Sequence, residues 1–469
     1  MSFFKLHSRK YKVFYISGFL LIFFPAFVYL IIQKANWVRY PYNVTRDYQY
    51  DFSKSDSQII NIKIVNNSIN IRNINFDDKS IFLKLQVQAS IFLGSIFTPY
   101  IHASSAGIHS STALEKNASG IRYINLSKFA NHALSTIDIK LKYLTLDSQD
   151  AQLIIFNNRA IDEKKILIIS PHPDDAEIAA YGLYSNNKNS VILTITAGEA
   201  GLSRYDELYT DNSSKYLKIG QLRTWNSITV PLLAGLRPDN LLNLGYFDST
   251  LKEMHKDKFI TTKGRYTNSL DINLFRKQNI SPLSSLLDGD SNWSSYVGNM
   301  EKILNKVKPD IIVTPYPLID NHTDHKYSTL ALFEAIKNIG MHSGELFFYT
   351  NHYALTEYYP FGEQGESVTL PPNFDDNLYA RRLYSFNVSE SLQIDKLLAF
   401  DAMIDLRPDT HWRFWEDHIK IAAKIFERKV RDLEKSYFRR AVRENELFYV
   451  MSVEDIYSDS LVKRIMGNL

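Results

Sequence analysis

From residue 163 onward, short apolar runs alternate with stretches of helical period, and few folds accept that rhythm. "KILIIS" is followed by "AEIAAYGLYSN" and then by "SVILTITAG". Later come "QLRTWNSITVPLLAG", "NLLNLG", "SYVGNMEKILNKVK", "DIIVTPYP" and "YSTLALFEAIKNIG". Buried strands alternating with helices imply βαβ units, and so an α/β domain with a doubly wound, mostly parallel sheet over 163–469. In such open sheets ligands bind beyond the C-terminal ends of the strands. Polar residues just past an apolar run therefore carry most of the functional information.

Residues 55–160 keep a different rhythm. "IINIKIV", "IFLKLQVQA", "TIDIKLKYLTL" and "AQLIIF" alternate apolar and polar with period two, separated by turns such as "VNNS" and "FDDKS". Several such strands without helices between them predict a small β-sandwich. His102, His109 and His132 fall here without ligand-like spacing and read as ordinary loop or surface residues.

The N-terminus adds a further expectation. "VFYISGFLLIFFPAFVYLII", residues 13–32, carries no charge over twenty positions, about the length that spans a bilayer. No small-residue cleavage site follows, so it reads as an uncleaved transmembrane signal anchor. Trp37 and Tyr40 suit the membrane interface just beyond it. Lys5, Arg9, Lys10 and Lys12 precede the span and Lys34, Arg39 and Arg46 follow it. That balance predicts a cytoplasmic segment 1–12, a single pass, and an extracytoplasmic, in a bacterium periplasmic, catalytic domain.

Two strand ends carry the chemistry. "SPHPDDAEIAAYG" follows the first apolar run and places His172, Asp174 and Asp175 there. "LIDNHTDHKYS" follows "DIIVTPYP" and places His322, Asp324 and His325 in the equivalent position. The chain has no cysteine, so a metal must be held by His, Asp or Glu. His172, Asp175 and His325 form a two-His, one-carboxylate set, and three protein ligands with one open position is the pattern of a catalytic zinc site. Asp174, next to a ligand, is placed to take a proton from water. His322 is the candidate for stabilising an oxyanion and protonating a departing amine, with Asp324 orienting it. The same ligand types also suit non-haem iron(II) oxygenases. A third reading is a membrane-anchored glycan-binding protein whose hydrolase domain is inactive.

The motifs resemble the PIG-L/LmbE-type zinc-dependent N-acetyl-sugar deacetylases, whose signatures are a His-Pro-Asp-Asp turn after the first strand and a later His-x-Asp-His. "LTITAGEAG", "LRTWNS", "NLGYFDST" and "LQIDKLLAFDAM" are similar to further segments of that family. The resemblance implies a Rossmann-like sheet and one Zn2+ per chain, or another divalent ion, on His172, Asp175 and His325. It implies Asp174 as general base and His322 as the oxyanion-stabilising acid. Glu199, Arg223 and Asp248 would lie near the sugar. The substrate it implies is an N-acetylhexosamine in a glycan, glycolipid or polysaccharide. Two positions depart from the family pattern. Its usual Gly-Gly after the first motif is Tyr181-Gly182, which puts Tyr181 in the space near the site, and the acidic residue three after the helix Arg is Asn226. A net charge of +3 gives no reason to expect nucleic acid.

A stripe at Trp415, Ile419, Ala422, Phe426, Val430, Leu433 and Tyr437 predicts a C-terminal helix, with a basic opposite face including Arg428, Lys429 and Arg431. The polar stretch 250–293 predicts a loop insertion over one end of the sheet.

Overall fold

The period-two segments form antiparallel sheets in the computed structural model of the chain. Its described residues are 25–200, 205, 208–375, 378–406 and 440–467. The early strands are β1 (Ser57–Lys63), β2 (Ser68–Asn70), β3 (Lys79–Ala89), β4 (Tyr100–Ser105), β5 (Ile108–Ala113), β6 (Ser119–Asn125), β7 (Thr136–Lys142), β8 (Leu144–Leu146) and β9 (Asp150–Asn157). One sheet runs β1-β9-β3-β6 with β8 also on β3, and the other runs β2-β7-β4-β5. Alternation decides which side chains lie between them: in β7, Ile137 and Ile139 are buried while Thr136, Asp138 and Lys140 are exposed. Ile69, Ile101 and Ile137 from the smaller sheet share one core with Leu83, Leu85 and Leu153 from the larger.

The outer face of the larger sheet is covered too, because Phe82, Tyr123 and Phe156 pack with Tyr48 and Phe52. Charge is buried at that seam. Arg122 and Glu115 pair at 3.2 Å with both side chains fully buried. The Tyr48 hydroxyl donates to Glu115 Oε1 at 2.5 Å, and Arg122 donates to the Arg46 carbonyl at 3.0 Å.

The second sheet contains β10 (Ile166–Ser170), β11 (Val191–Thr196), β12 (Leu241–Tyr246), β13 (Ile311–Pro315), β14 (Glu345–Tyr349), β15 (Arg382–Asn387) and β16 (Asn445–Ser452). Its order is β12-β11-β10-β13-β14-β16-β15. The first five are parallel, whereas β16 runs antiparallel to both β14 and β15. Along β10, Leu167 and Ile169 face one core while Ile166 and Ile168 face the other. A strand buried on both faces needs the unbroken apolar run that the sequence shows. Helices α1 (Asp175–Asn186) and α5 (Glu390–Ala402) contribute to one of those cores, and α3 (Trp293–Val307) and α4 (Thr323–Ile339) to the other. The chain leaves β10 toward β11 and β12, then returns to β13 and β14 on its other side. The strand order thus reverses between β10 and β13, where α/β sheets bind ligands.

α1 is kinked at Ala180, whose φ of −144° breaks the helical run. The Gly182 and Leu183 N–H groups turn to Glu446 of β16, at 2.8 and 2.9 Å. Lys396 of α5 closes the arrangement by donating to Glu446 Oε1 at 2.8 Å and to the Ile178 carbonyl at 2.9 Å. Tyr181, expected near the site, instead lies in the core against Tyr184, with ring centroids 5.2 Å apart.

Two expectations change, and a third falls outside the described residues. Among the described residues no helix is long and apolar enough to cross a membrane. The transmembrane anchor, the single-pass localisation and the extracytoplasmic orientation are therefore withdrawn. The described part of the apolar stretch, from residue 25, belongs to a helix over 25–39, and residues 13–24 lie outside the described residues. The C-terminal helix expected from Trp415 to Tyr437 also lies outside them. The insertion 250–293 is more than a loop. Phe275 and Arg276 are buried, and Arg276 donates to the Leu244 carbonyl of β12 at 2.7 Å, which fastens the segment to the sheet edge.

Candidate metal centre

The turn after β10 is tied down by its own backbone. Ser170 Oγ donates to the His172 carbonyl at 2.6 Å and accepts from the Ala176 N–H. Thr196 Oγ1 of neighbouring β11 donates to the Pro171 carbonyl. The chain then enters α1 with Asp174 at the N-cap and Asp175 in the first turn. Both carboxylates start at the positive end of a helix, which favours their ionised form. After β13, a second turn leads into α4, with His322 at its N-cap and His325 in its first turn.

These turns bring three expected ligands to one point. His172 Nδ1 lies 3.2 Å and His325 Nε2 3.1 Å from the same oxygen, Asp175 Oδ2. The opposite ring nitrogens face other carboxylates. His325 Nδ1 is 3.1 Å from Asp320 Oδ2, and His172 Nε2 is 3.5 Å from both Asp248 Oδ1 and Asp324 Oδ2. A ligating histidine ordinarily turns its second nitrogen to a carboxylate in this way, which fixes the ring and raises its basicity. Both nitrogens of His325 are buried without a well-formed hydrogen bond. A buried polar group left so is costly unless something else satisfies it, and a divalent cation among these donors would do so. Ligand atoms of His172, His322 and His325 lie within 4.8 Å of one another, as do those of Asp175, His325 and His352.

The electrostatics follow the packing. Burial pushes the Asp175 carboxyl up, but His325 and His172 outweigh it and hold it well below the ordinary range. Burial lowers His325, yet Asp175 and Asp320 raise it to about 10. His172 is likewise held well above its usual value, burial being outweighed by Asp248 and Asp175. His322 goes the other way. Burial, with His172 and His325 as cationic neighbours, lowers it to about 3. Asp174 is pushed well above the carboxylate range by burial and by Asp405, against the pull of Arg223.

The remaining expected residues are close by. Asp324 stands beside His172 and accepts the Ser249 N–H at 2.7 Å. Glu199 is fully buried, and its two oxygens accept the Asp248 N–H at 3.2 and 3.0 Å, which ties it to the loop after β12. Asp248 accepts from Ser249 Oγ at 2.9 Å and backs His172. Arg223, on α2 (Asn212–Thr229), is buried and donates to the Gly198 carbonyl at 2.6 Å.

Sequence reasoning passed over four members of the site. Asp320 is fully buried and accepts backbone N–H groups from His322 and Asn351, each at 3.0 Å. Asn351 Nδ2 donates to Asp175 Oδ1 at 2.7 Å. The His352 ring stands 5.2 Å from that of His325. Asn351 and His352 follow parallel strand β14, so the strand-end rule that found the first two clusters also points to them. Asp405 pairs with Arg223 at 2.7 Å, and no local pattern announces it.

Residues 167–336 match the family model described as PIG-L: GlcNAc-PI de-N-acetylase, which bears out the resemblance over that segment. Among solved structures the chain is similar to the conserved protein TT1542 from Thermus thermophilus, at 17% identity over 61% of this chain and 94% of that one, with a TM-score of 0.29. It is also similar to GalB, the 4-carboxy-2-hydroxymuconate hydratase from Pseudomonas putida, at 14% identity over 62% and 96%, TM-score 0.29. A family two carbohydrate esterase from Cellvibrio japonicus aligns at 11% identity over 64% and 86%, TM-score 0.16. No curated protein matches the chain.

Proposed function

We propose that the chain is a zinc-dependent amide hydrolase that removes the acetyl group from an N-acetylhexosamine carried in a glycan or glycolipid. In this reading residues 163–469 form the deacetylase domain and 55–160 an accessory β-module. The observation that carries it is the convergence of His172 Nδ1 and His325 Nε2 on Asp175 Oδ2, each ring backed by a further carboxylate. His172, Asp175 and His325 would hold the ion, and Asn351 and Asp320 would fix the two loops that carry them. A divalent ion bound there supplies Lewis acidity, which polarises an acyl oxygen and acidifies water.

The chain's own residues then divide the proton work. Asp174 takes the proton of the attacking water as the new C–O bond forms. Burial and Asp405 raise its affinity for a proton, which favours its accepting one from water. The same proton passes from Asp174 to the nitrogen as the C–N bond breaks, and acetate and a free amine leave. His322, whose ring stands 4.6 and 4.8 Å from those of His172 and His325, would serve the developing oxyanion as a hydrogen-bond donor.

The test incubates the full chain with zinc and a panel of acetamido-sugars and lipid-linked glycans, measuring released acetate. The expected outcome is metal-dependent acetate release that Asp174→Asn slows about a hundredfold or more. Metal-loaded protein that releases no acetate from any panel member counts against the reading.

A further inference from the structure

Arg223 has two carboxylates for one guanidinium. Its Nη2 lies 2.7 Å from Asp405 Oδ2 and 3.3 Å from Asp174 Oδ1, and its Nη1 donates to the Gly198 carbonyl at 2.6 Å. The shorter bond sets the direction of the guanidinium plane, so Asp405 decides how closely Arg223 approaches Asp174. All three side chains are nearly buried, at 7, 8 and 12% exposure for Arg223, Asp405 and Asp174. At that depth a misplaced charge is not screened by water.

Asp405 arrives from far along the chain, in the turn just after α5. That turn is gripped by α2. Asn226 Nδ2 donates to the Ala402 carbonyl at 3.3 Å, and the Ile404 N–H donates to Asn226 Oδ1 at 3.2 Å. Arg223 and Asn226 are three residues apart and so share a helix face. One face of α2 thus holds the turn with Asn226 and takes its carboxylate with Arg223.

We propose that Asp405 is a positioning residue for Asp174. By occupying Arg223, it prevents the guanidinium from closing on Asp174 and leaves that carboxylate free to accept a proton. Asn226 is the clamp that delivers it. The site is therefore completed by a residue outside the segment 167–336 that matches the family model. The inference rests on the assignment of Asp174 as the base.

Asp405→Asn in the full-length protein tests it, through a crystal structure, metal content, melting temperature and steady-state kinetics of acetate release. The expected result is that Arg223 moves onto Asp174 by about 0.5 Å or more, the tolerance within which working groups must be held. Metal content and KM should match the parent, while kcat falls about a hundredfold, the scale of a misplaced catalytic group. Three results overturn the proposal: Arg223 unmoved, kcat retained, or a kcat loss matched by an equal loss of metal or folded protein. A parent protein that turns over nothing counts against the deacetylase reading instead, and the position of Arg223 then decides on its own.

Discussion

Glu446 and Lys396 offer a quantitative test of what holds the first metal-site turn in place. Their side chains are 3 and 1% exposed and meet at 2.8 Å beneath the α1 kink. Removing one partner of a buried pair costs about 3–5 kcal/mol, because the other charge stays behind unpaired. The structure makes the two removals unequal. Without Lys396, the Glu446 carboxylate still accepts from the Gly182 and Leu183 N–H groups. Hydrogen bonds to a charged group are worth about 1.5–3 kcal/mol each. With Glu446 replaced by a neutral amide, the Lys396 ammonium loses its counter-charge while retaining the Ile178 carbonyl, and both N–H groups of the kink lose a charged acceptor. Glu446→Gln should therefore fall at the upper end, about 5 kcal/mol, and Lys396→Met at or below about 3 kcal/mol. Thermal unfolding of parent and both variants, followed by circular dichroism, reads the order directly. Elemental analysis should show greater metal loss in Glu446→Gln, since α1 begins with Asp175. If Lys396→Met melts at or below Glu446→Gln, the backbone donors do not support the carboxylate as described.

The two adjacent acids should fail differently: Asp175→Asn should lose bound metal, whereas Asp174→Asn should keep metal and turn over about a hundredfold to ten-thousandfold more slowly. Metal analysis beside acetate release separates them, and a metal-replete Asp174→Asn at parental rate removes Asp174 from the mechanism. Because His325 is held to about 10, it is protonated at pH 7 in the metal-free site and must lose that proton to ligate, and His172 is shifted in the same direction. Zinc uptake should release protons and strengthen as pH rises toward 10, about tenfold per pH unit for each proton displaced. Calorimetry in two buffers of different ionisation enthalpy checks this, and equal heats in both count against it. Glu115→Gln should destabilise the protein by about 3–5 kcal/mol, since it leaves Arg122 charged and fully buried; a melting temperature equal to the parent's would show that Arg122 is satisfied by carbonyls alone.

The parts of the site that could be read from sequence share one property: they sit where a regular element begins or ends. His172, Asp174, Asp175, His322 and His325 all follow apolar runs, so periodicity alone locates them at the ligand-binding end of the sheet. The β-module was legible for the same reason, because alternation fixes which face of each strand is buried. What escaped depends on contacts between distant segments. Asp405 meets Arg223 only because Asn226 holds a turn 176 residues further on. Glu199 is placed near the sugar by the resemblance alone, and its contact with the Asp248 N–H, between two loops, is one that no local pattern announces. The kink at Ala180 needs Glu446 from the far end of the chain, which no local pattern encodes. The membrane anchor was inferred from composition over 13–32, but the described part of that stretch, from residue 25, forms no helix able to span a bilayer.

The order of strands in the second sheet bears on how the protein is made. β16 is the last of these strands to leave the ribosome, yet it lies between β14 and β15. At about 5–20 residues per second, β15 waits roughly 3–12 s for its partner. During that interval β14 and β15 each offer an unpaired edge, the usual starting point for wrong pairing between nascent chains. Lys396 waits as well, without Glu446 to meet it. Completion of the metal site is thus a late event in biosynthesis, and chaperone occupancy should concentrate on the half-built sheet before β16 emerges.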